Sequence, residues 1–334
     1  MNVLERFQPV LVMAGVGAGL VAAQVSGVAA LADALVLPFL MVMLFAAFTA
    51  IPLGGFRHAL RNRRVVGTSL GINFVWNPLL AVVLGAVFLR DQPALWIGLL
   101  MLLVTPCTDW YLVFTDIANG DVPLATSLLP YNLVLQLLLL PVYLYAFAGT
   151  TVDLPLDVLL ESIVLVLVVP LAFAVIVRRG VRRFTGSRSR WFERRVLPAL
   201  GPIQIVFLAL AVAAMFASQG AVIVERPDLL ALLALPVLAF YAINFLVGLA
   251  VGRLLEFSYE EVACLECTIL SRNSPTALAI AVVAFPNEPL IALALVIGPL
   301  LELPLLSVVS ALLRRIQRRG WGAASDGRRA RLEG

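Results

Sequence analysis

Ten apolar runs of membrane length leave this chain few folds to adopt. They fall at about 9–31, 34–54, 66–89, 94–118, 122–148, 157–177, 195–217, 229–252, 258–285 and 288–313, each near the ~20 residues that cross a hydrocarbon core as a helix. A bilayer offers no water to an exposed backbone group, so runs of this length predict transmembrane helices. With 62% hydrophobic and 13% charged residues there is no room for a soluble domain. The expectation is an all-α, polytopic membrane protein. The first run resembles a signal sequence in place only: Glu5 stands beside Arg6 where a basic leader would be, and the apolar stretch is too long, so it counts as a span.

All 24 basic residues are arginines, clustered between the runs at Arg57 to Arg64, Arg178 to Arg195 and Arg314 to Arg331. If the amino terminus is cytoplasmic, every arginine except Arg90, Arg226 and the mid-span Arg272 falls on the cytoplasmic side or in the tail, as the positive-inside rule requires. Both termini are therefore expected inside the cell membrane. No aromatic-interleaved basic face accompanies the clusters, which excludes nucleic acid as a partner and leaves membrane lipid. The basic tail, 314–334, is expected to touch anionic lipid, with Trp321 as an interfacial anchor.

Two runs are interrupted by proline and polar residues: Thr105-Pro106-Cys107-Thr108-Asp109 in the fourth and Ser271-Arg272-Asn273-Ser274-Pro275-Thr276 in the ninth. The acidic external connection 149–156 divides the runs five and five, into 1–148 and 157–313. Five is odd, so the second half enters the membrane from the opposite side, the signature of two inverted five-helix repeats. Broken helices at matching positions of such repeats predict a crossing near the midplane, with the substrate site there. The predicted function class is a secondary transporter working by alternating access. A Gly-x-x-x-x-Gly-Lys phosphate loop is absent, and the single histidine, His58, falls in a cytoplasmic loop, so neither nucleotide-driven pumping nor histidine catalysis is expected. No enzyme activity, cofactor or resident metal is expected.

Several side chains within the runs carry chemistry. Cys107, in the first break, offers a soft sulfur ligand. Glu302, in the tenth run, would cost ~2.5–3.5 kcal/mol as a carboxylate at mid-span, and a group poised between charged and neutral forms is a natural proton carrier. Asp109 and Arg272, of opposite charge on the two broken spans, are expected to pair across the crossing. The alternative is that Arg272, beside half-helix amino termini, binds an anionic substrate. Asn73, Asn77, Asn132, Gln136 and Asn244 are polar within spans; Asn73 and Asn273 are the strongest candidates to line a cavity. Cys264 and Cys267 share one helical face, either as packing residues or as additional thiols.

The stretches Pro106-Cys107-Thr108 with Asn119-Gly120-Asp121, Asn73-Phe-Val-Trp76-Asn-Pro78, and Ala292 through Glu302 to Pro304 resemble the fourth, third and tenth spans of the Acr3 arsenite efflux transporters. That family lies within the bile acid/sodium symporter superfamily. The resemblance implies ten spans with broken, crossing helices 4 and 9, a mobile panel of spans 1, 2, 6 and 7, and a core of spans 3–5 and 8–10. It implies extrusion of arsenite, with antimonite as a related substrate, in exchange for protons. Cys107 and Glu302 match the family's functional cysteine and glutamate; the substrate-binding set is Pro106, Cys107, Thr108, Asn73, Asn273 and Ser274, and Glu302 couples the proton. Soluble arsenic-resistance partners are compatible with it. The ninth span departs from its sodium-coupled relatives, whose pattern is a glutamate, three residues, then Gln-Asn-Ser. Here Thr268 and Arg272 replace the acid and the glutamine, while Asn273 and Ser274 match. A guanidinium there repels sodium and can stand in for its charge, which predicts sodium-independent transport and keeps open a carrier of small organic anions built on Arg272.

Overall fold

A computed structural model describes residues 3–25, 27–50, 62–107, 110–148, 156–185, 196–225 and 227–321. His58, the 149–155 connection, Thr108, Asp109, Arg226 and the tail beyond Trp321 lie outside the described residues. Within them the chain is helical: α1 (Val3–Ala22), α2 (Val28–Ala50), α3 (Arg63–Gly71, a wide π turn Ile72–Trp76, then Asn77–Phe88), α4 (Pro93–Val104), α5 (Trp110–Ile117) and α6 (Val122–Tyr143, closed by a π turn Leu144–Ala148). There follow α7 (Leu156–Ile163, a π turn Val164–Val168, then Val169–Thr185), α8 (Leu197–Glu225), α9 (Pro227–Leu254), α10 (Tyr259–Leu270), α11 (Ser274–Ala284) and α12 (Pro289–Arg318).

Seven of these, α2, α3, α6, α7, α8, α9 and α12, are long and apolar enough to cross a membrane. The other three expected spans are α1, whose apolar part is only Val10–Ala22, and the pairs of half-helices α4/α5 and α10/α11. Helix starts follow local rules. Proline opens α4, α11 and α12 within the first turn, where a missing N–H costs nothing. Asp121 caps α6 by accepting from Leu124 N (2.9 Å), and Ser258 with Glu261 forms a capping box on α10.

The first boundary departs from expectation. Hydropathy put it between 31 and 34, but α1 ends at Ala22 and α2 begins at Val28. Gly27 adopts φ +86°, a left-handed conformation that stops a helix, and the apolar residues Val28 to Leu31 merely continue the run beyond the turn. At the other extreme, α8 and α12 run past 217 and 313, to Glu225 and Arg318.

Helices α1, α2, α7 and α8 pack as one group, with α8 lying along both α1 and α2. In the other group α4 packs on α12, α3 on α4 and α9, and α9 on α10. Small residues allow the closest approaches: a Cβ on Gly98 of α4 would lie 2.7 Å from the Ile291 carbonyl oxygen of α12. Val87, Leu138, Ile176 and Leu246 point outward and are more than half exposed, as a lipid-facing surface requires. Trp321 packs inward against the α9–α10 turn, donating from Nε1 to Phe257 O (3.1 Å) with Arg253 over its ring.

Candidate functional site

The two breaks meet. After α4, Thr105 turns extended, and after α10 so does Ser271. The extended residues pair antiparallel, Pro106 opposite Arg272, with Cys107 N donating to Ser271 O (3.0 Å) and Asn273 N to Thr105 O (2.8 Å). Backbone groups freed by the unwinding are thereby satisfied inside the protein, the condition for an irregular segment at membrane depth. Thr105 Oγ1 folds back onto Met101 O (2.8 Å), and the Asn273 side chain accepts from Thr276 N (3.2 Å), capping α11.

Arg272 organises the crossing. Its guanidinium is buried and donates to Leu103 O (2.9 Å) in the last turn of α4, and to Thr268 O (3.5 Å), Ile269 O and Leu270 O (3.4 Å) in the last turn of α10. Asn73 Oδ1 accepts from the same fork (2.8 Å), and the Phe240 ring lies 5.3 Å from the cation. Helix carboxyl ends carry about half a negative charge each, so one guanidinium neutralises both half-helix ends. Its own backbone N–H donates to Glu302 Oε1 (2.8 Å). The expected partner Asp109 lies outside the described residues.

Asn73 therefore sits behind the crossing. Its Nδ2 faces Thr268 O (3.4 Å), and Asn77 Nδ2 donates to Asn73 Oδ1 (3.2 Å) and Ile269 O (3.3 Å). The wide turn Ile72–Trp76 in α3 carries Asn73 into this position. Cys107 is buried, with its sulfur accepting from Trp110 N (3.3 Å) at the start of α5. Ser274 and Pro275 open onto a crevice between the two helix groups, walled by Leu40 of α2, Met215 of α8, Leu278 of α11 and Pro299 of α12. It has space for about one water-sized molecule. Ser274 Oγ is buried there with no hydrogen-bond partner among the described residues.

Pro106, Cys107, Asn73, Arg272, Asn273, Ser274 and Glu302 are thus brought to one crossing, while Thr108 lies outside the described residues. Cys264 and Cys267 are buried thiols lower in α10. Asn132 and Gln136 are buried on α6, and all four of their amide atoms lack hydrogen-bond partners among the described residues. Glu266 and Tyr241, both buried, are absent from the sequence expectations. Glu266 carried a usable signal, an ionisable residue between Cys264 and Cys267 in an apolar run.

Residues 37–226 match the model of the Sodium Bile acid symporter family. Over 278 residues the chain is 28% identical to the arsenical-resistance protein Acr3 of Corynebacterium glutamicum, covering 80% of this chain and 74% of that protein. It is 26% identical over 287 residues to an uncharacterised transporter of Synechocystis, with 80% and 74% coverage. Similarity to the Acr3 arsenical-resistance protein of Alkaliphilus metalliredigens is 26% over 211 residues, 63% of this chain and 58% of that one.

Proposed function

We propose that this chain, which belongs to the sodium bile acid symporter family and is a membrane transporter, extrudes arsenite, and antimonite by the same chemistry, in exchange for protons. The observation that carries the reading is Cys107 in the unwound, backbone-bridged break, on the residue next to the Pro106–Arg272 bridge that also anchors Glu302. Two relatives that bear the name arsenical-resistance protein support the substrate.

Trivalent arsenic is thiophilic, and one thiol holds it reversibly. The thiol sulfur bonds to arsenic of arsenous acid as one hydroxyl leaves; that hydroxyl takes the thiol proton and departs as water. The reverse step releases arsenous acid on the other side. Glu302 takes a proton from outside and gives it up inside, and its hydrogen bond to the bridge links that proton to the geometry around Cys107. Alternating access follows from the group α1, α2, α7 and α8 moving against the core that carries the crossing, with 1–148 and 157–313 as inverted repeats and both termini cytoplasmic. Arg272 holds the positive charge at the crossing permanently, so the cycle runs without sodium. Asp109, of opposite charge on the other broken span, is assigned as the counterion of Arg272.

A sodium-independent carrier of small organic anions is the second reading, favoured by the buried Ser274 hydroxyl at the amino terminus of α11, which has no hydrogen-bond partner among the described residues. Arg272 contributes little to it, since its donors are spent on carbonyls.

Arsenite accumulation in everted membrane vesicles under an imposed proton gradient tests the assignment. Native protein should accumulate arsenite when the vesicle interior is acidic, and Cys107→Ala should lose this by about tenfold or more, the loss expected for a single essential ligand. Absence of arsenite uptake by well-expressed native protein, with gradient-independent uptake of organic anions, overturns it in favour of the second reading.

A further inference from the structure

We infer that Glu266 is a second proton-holding site, joined to Glu302 by a polar path along one face of α9. This rests on the proton-exchange reading above and extends it to a residue that reading does not use.

The Glu266 side chain is fully buried in α10, and neither carboxyl oxygen has a hydrogen-bond partner among the described residues. It lies against α9 at Gly248, where a Cβ would collide with the carboxyl group, and beside the backbone of Leu249 without the geometry of a hydrogen bond. Glycine at 248 leaves the room the carboxyl occupies. A buried carboxyl with no partner is a place to hold a proton, because the bare charge costs several kcal/mol at this depth.

Two more unpartnered polar groups continue from it. Tyr241, Asn244 and Gly248 are spaced by three and four residues, so they share one face of α9. Asn244 Oδ1 accepts from Trp76 Nε1 (2.9 Å), which fixes the amide and leaves its buried Nδ2 without a partner among the described residues. The Tyr241 hydroxyl is likewise buried and without a partner among the described residues. Because α9 and α10 run antiparallel, with Gly252 against Val262 and Gly248 against Glu266, moving from Gly248 to Tyr241 climbs to the crossing. There Tyr241 is within electrostatic reach of Glu302, Arg272 and Cys107. The climb is about 10 Å, seven residues of helix, and the proposed path is completed by two or three water molecules between these polar groups.

The step is a proton transfer with no other bond changed: Glu302 carboxylic acid and Glu266 carboxylate become Glu302 carboxylate and Glu266 carboxylic acid. The Tyr241 oxygen accepts a proton from the Glu302 side as its own proton passes to the bridging water, and Asn244 Nδ2 orients that water without carrying charge. Among the described residues, the charged or titratable groups on the elements packed against α10 are Asp228, Tyr241 and Arg253 on α9, Tyr111 and Asp116 on α5, Glu302, Arg314, Arg315 and Arg318 on α12, Arg63 and Arg64 on α3, Tyr131 and Tyr143 on α6, and Tyr259, Glu260, Glu261, Cys264 and Cys267 on α10 itself. Glu266 acts electrostatically on Cys267, and none of these groups hydrogen-bonds the Glu266 carboxyl.

Infrared difference spectroscopy of the full-length protein after a pH jump reads this without any transported substrate. Glu266→Gln should remove one protonated-carboxyl band that follows pH, and should slow protonation of Glu302 by about tenfold, as loss of a proton-transfer group does. Tyr241→Phe should keep the Glu266 band and slow its response; it also keeps the test open if Glu266→Gln does not fold. A Glu266 band indifferent to pH, or unchanged Glu302 kinetics in both variants, overturns the path. In proteoliposomes with arsenite, Glu266→Gln should lose gradient-driven flux but keep arsenite–arsenite exchange, with Glu266→Asp restoring part of the pH dependence. Should native protein move no arsenite, the proposed substrate fails while the infrared result still judges Glu266.

Discussion

An arginine in the middle of a hydrocarbon span needs partners that water cannot supply, and Arg272 finds them in the carbonyl ends of two half-helices. Those oxygens surround one positive charge as they would a bound monovalent cation. Removing the guanidinium therefore leaves a cluster of buried acceptors unsatisfied, at about 1–3 kcal/mol for each one not rescued by water. We predict that Arg272→Gln lowers the melting temperature of the purified protein in choline chloride, and that sodium chloride at equal ionic strength restores much of the loss. Native protein should melt at the same temperature in both salts. A sodium-specific rise in the native protein would show that Arg272 does not occupy the cation position. Arg272→Lys should fall between the two, since an ammonium cannot span carbonyls from both helices as the planar fork does.

At the level of elements, the crossing is held in place by helices that approach closely through glycine. A Cβ on Gly98 would press on the Ile291 carbonyl and on Ala294, backbone and short side chain with little freedom to give. Gly98→Ala should cost about 1–3 kcal/mol of stability, the usual penalty for overpacking, whereas Gly17→Ala on α1, where nothing lies within 4 Å, should be neutral. Thermal unfolding in detergent compares them, and equal melting curves would refute the tight α4–α12 contact. The start of α10 rests on a capping box, so Ser258→Ala should cost about 1 kcal/mol and loosen the half-helix that carries Glu266. Hydrogen exchange in the first turn of α10 would detect this, and unchanged protection there would argue against the cap.

For the molecule as a whole, the crevice beside Ser274 is the place where the two helix groups must separate if they move. Leu208 and Leu295 line it from opposite groups. Cysteines at both positions, joined by a short bismaleimide, should arrest transport, whereas each single variant treated alike should keep it. Transport surviving a complete crosslink would mean that the group of α1, α2, α7 and α8 does not move against the core at this face. The crevice, with space for about one water-sized molecule beside Ser274, fits a closed arrangement of the two groups.

Membrane-length helices and the two breaks were legible in the sequence because both are local: hydropathy over about 20 residues sets a span, and proline removes the N–H that would continue it. The same locality misplaced the first boundary, since Val28 to Leu31 are apolar and continue the run beyond a turn marked by Gly27 at φ +86°. Cys107, Glu302 and Arg272 stood out as chemistry in the wrong solvent, and the structure places all three about the crossing. The sequence could not say which oxygens Arg272 would hold, because they are backbone carbonyls of Leu103 and of 268–270, brought together only when two helices cross. Nor could it tell that Glu266 lies opposite a glycine and in line with Asn244 and Tyr241. Solvent preference and backbone chemistry are properties of a segment and are written in it. Satisfaction of a buried charge is a property of neighbours, and tertiary packing alone chooses them.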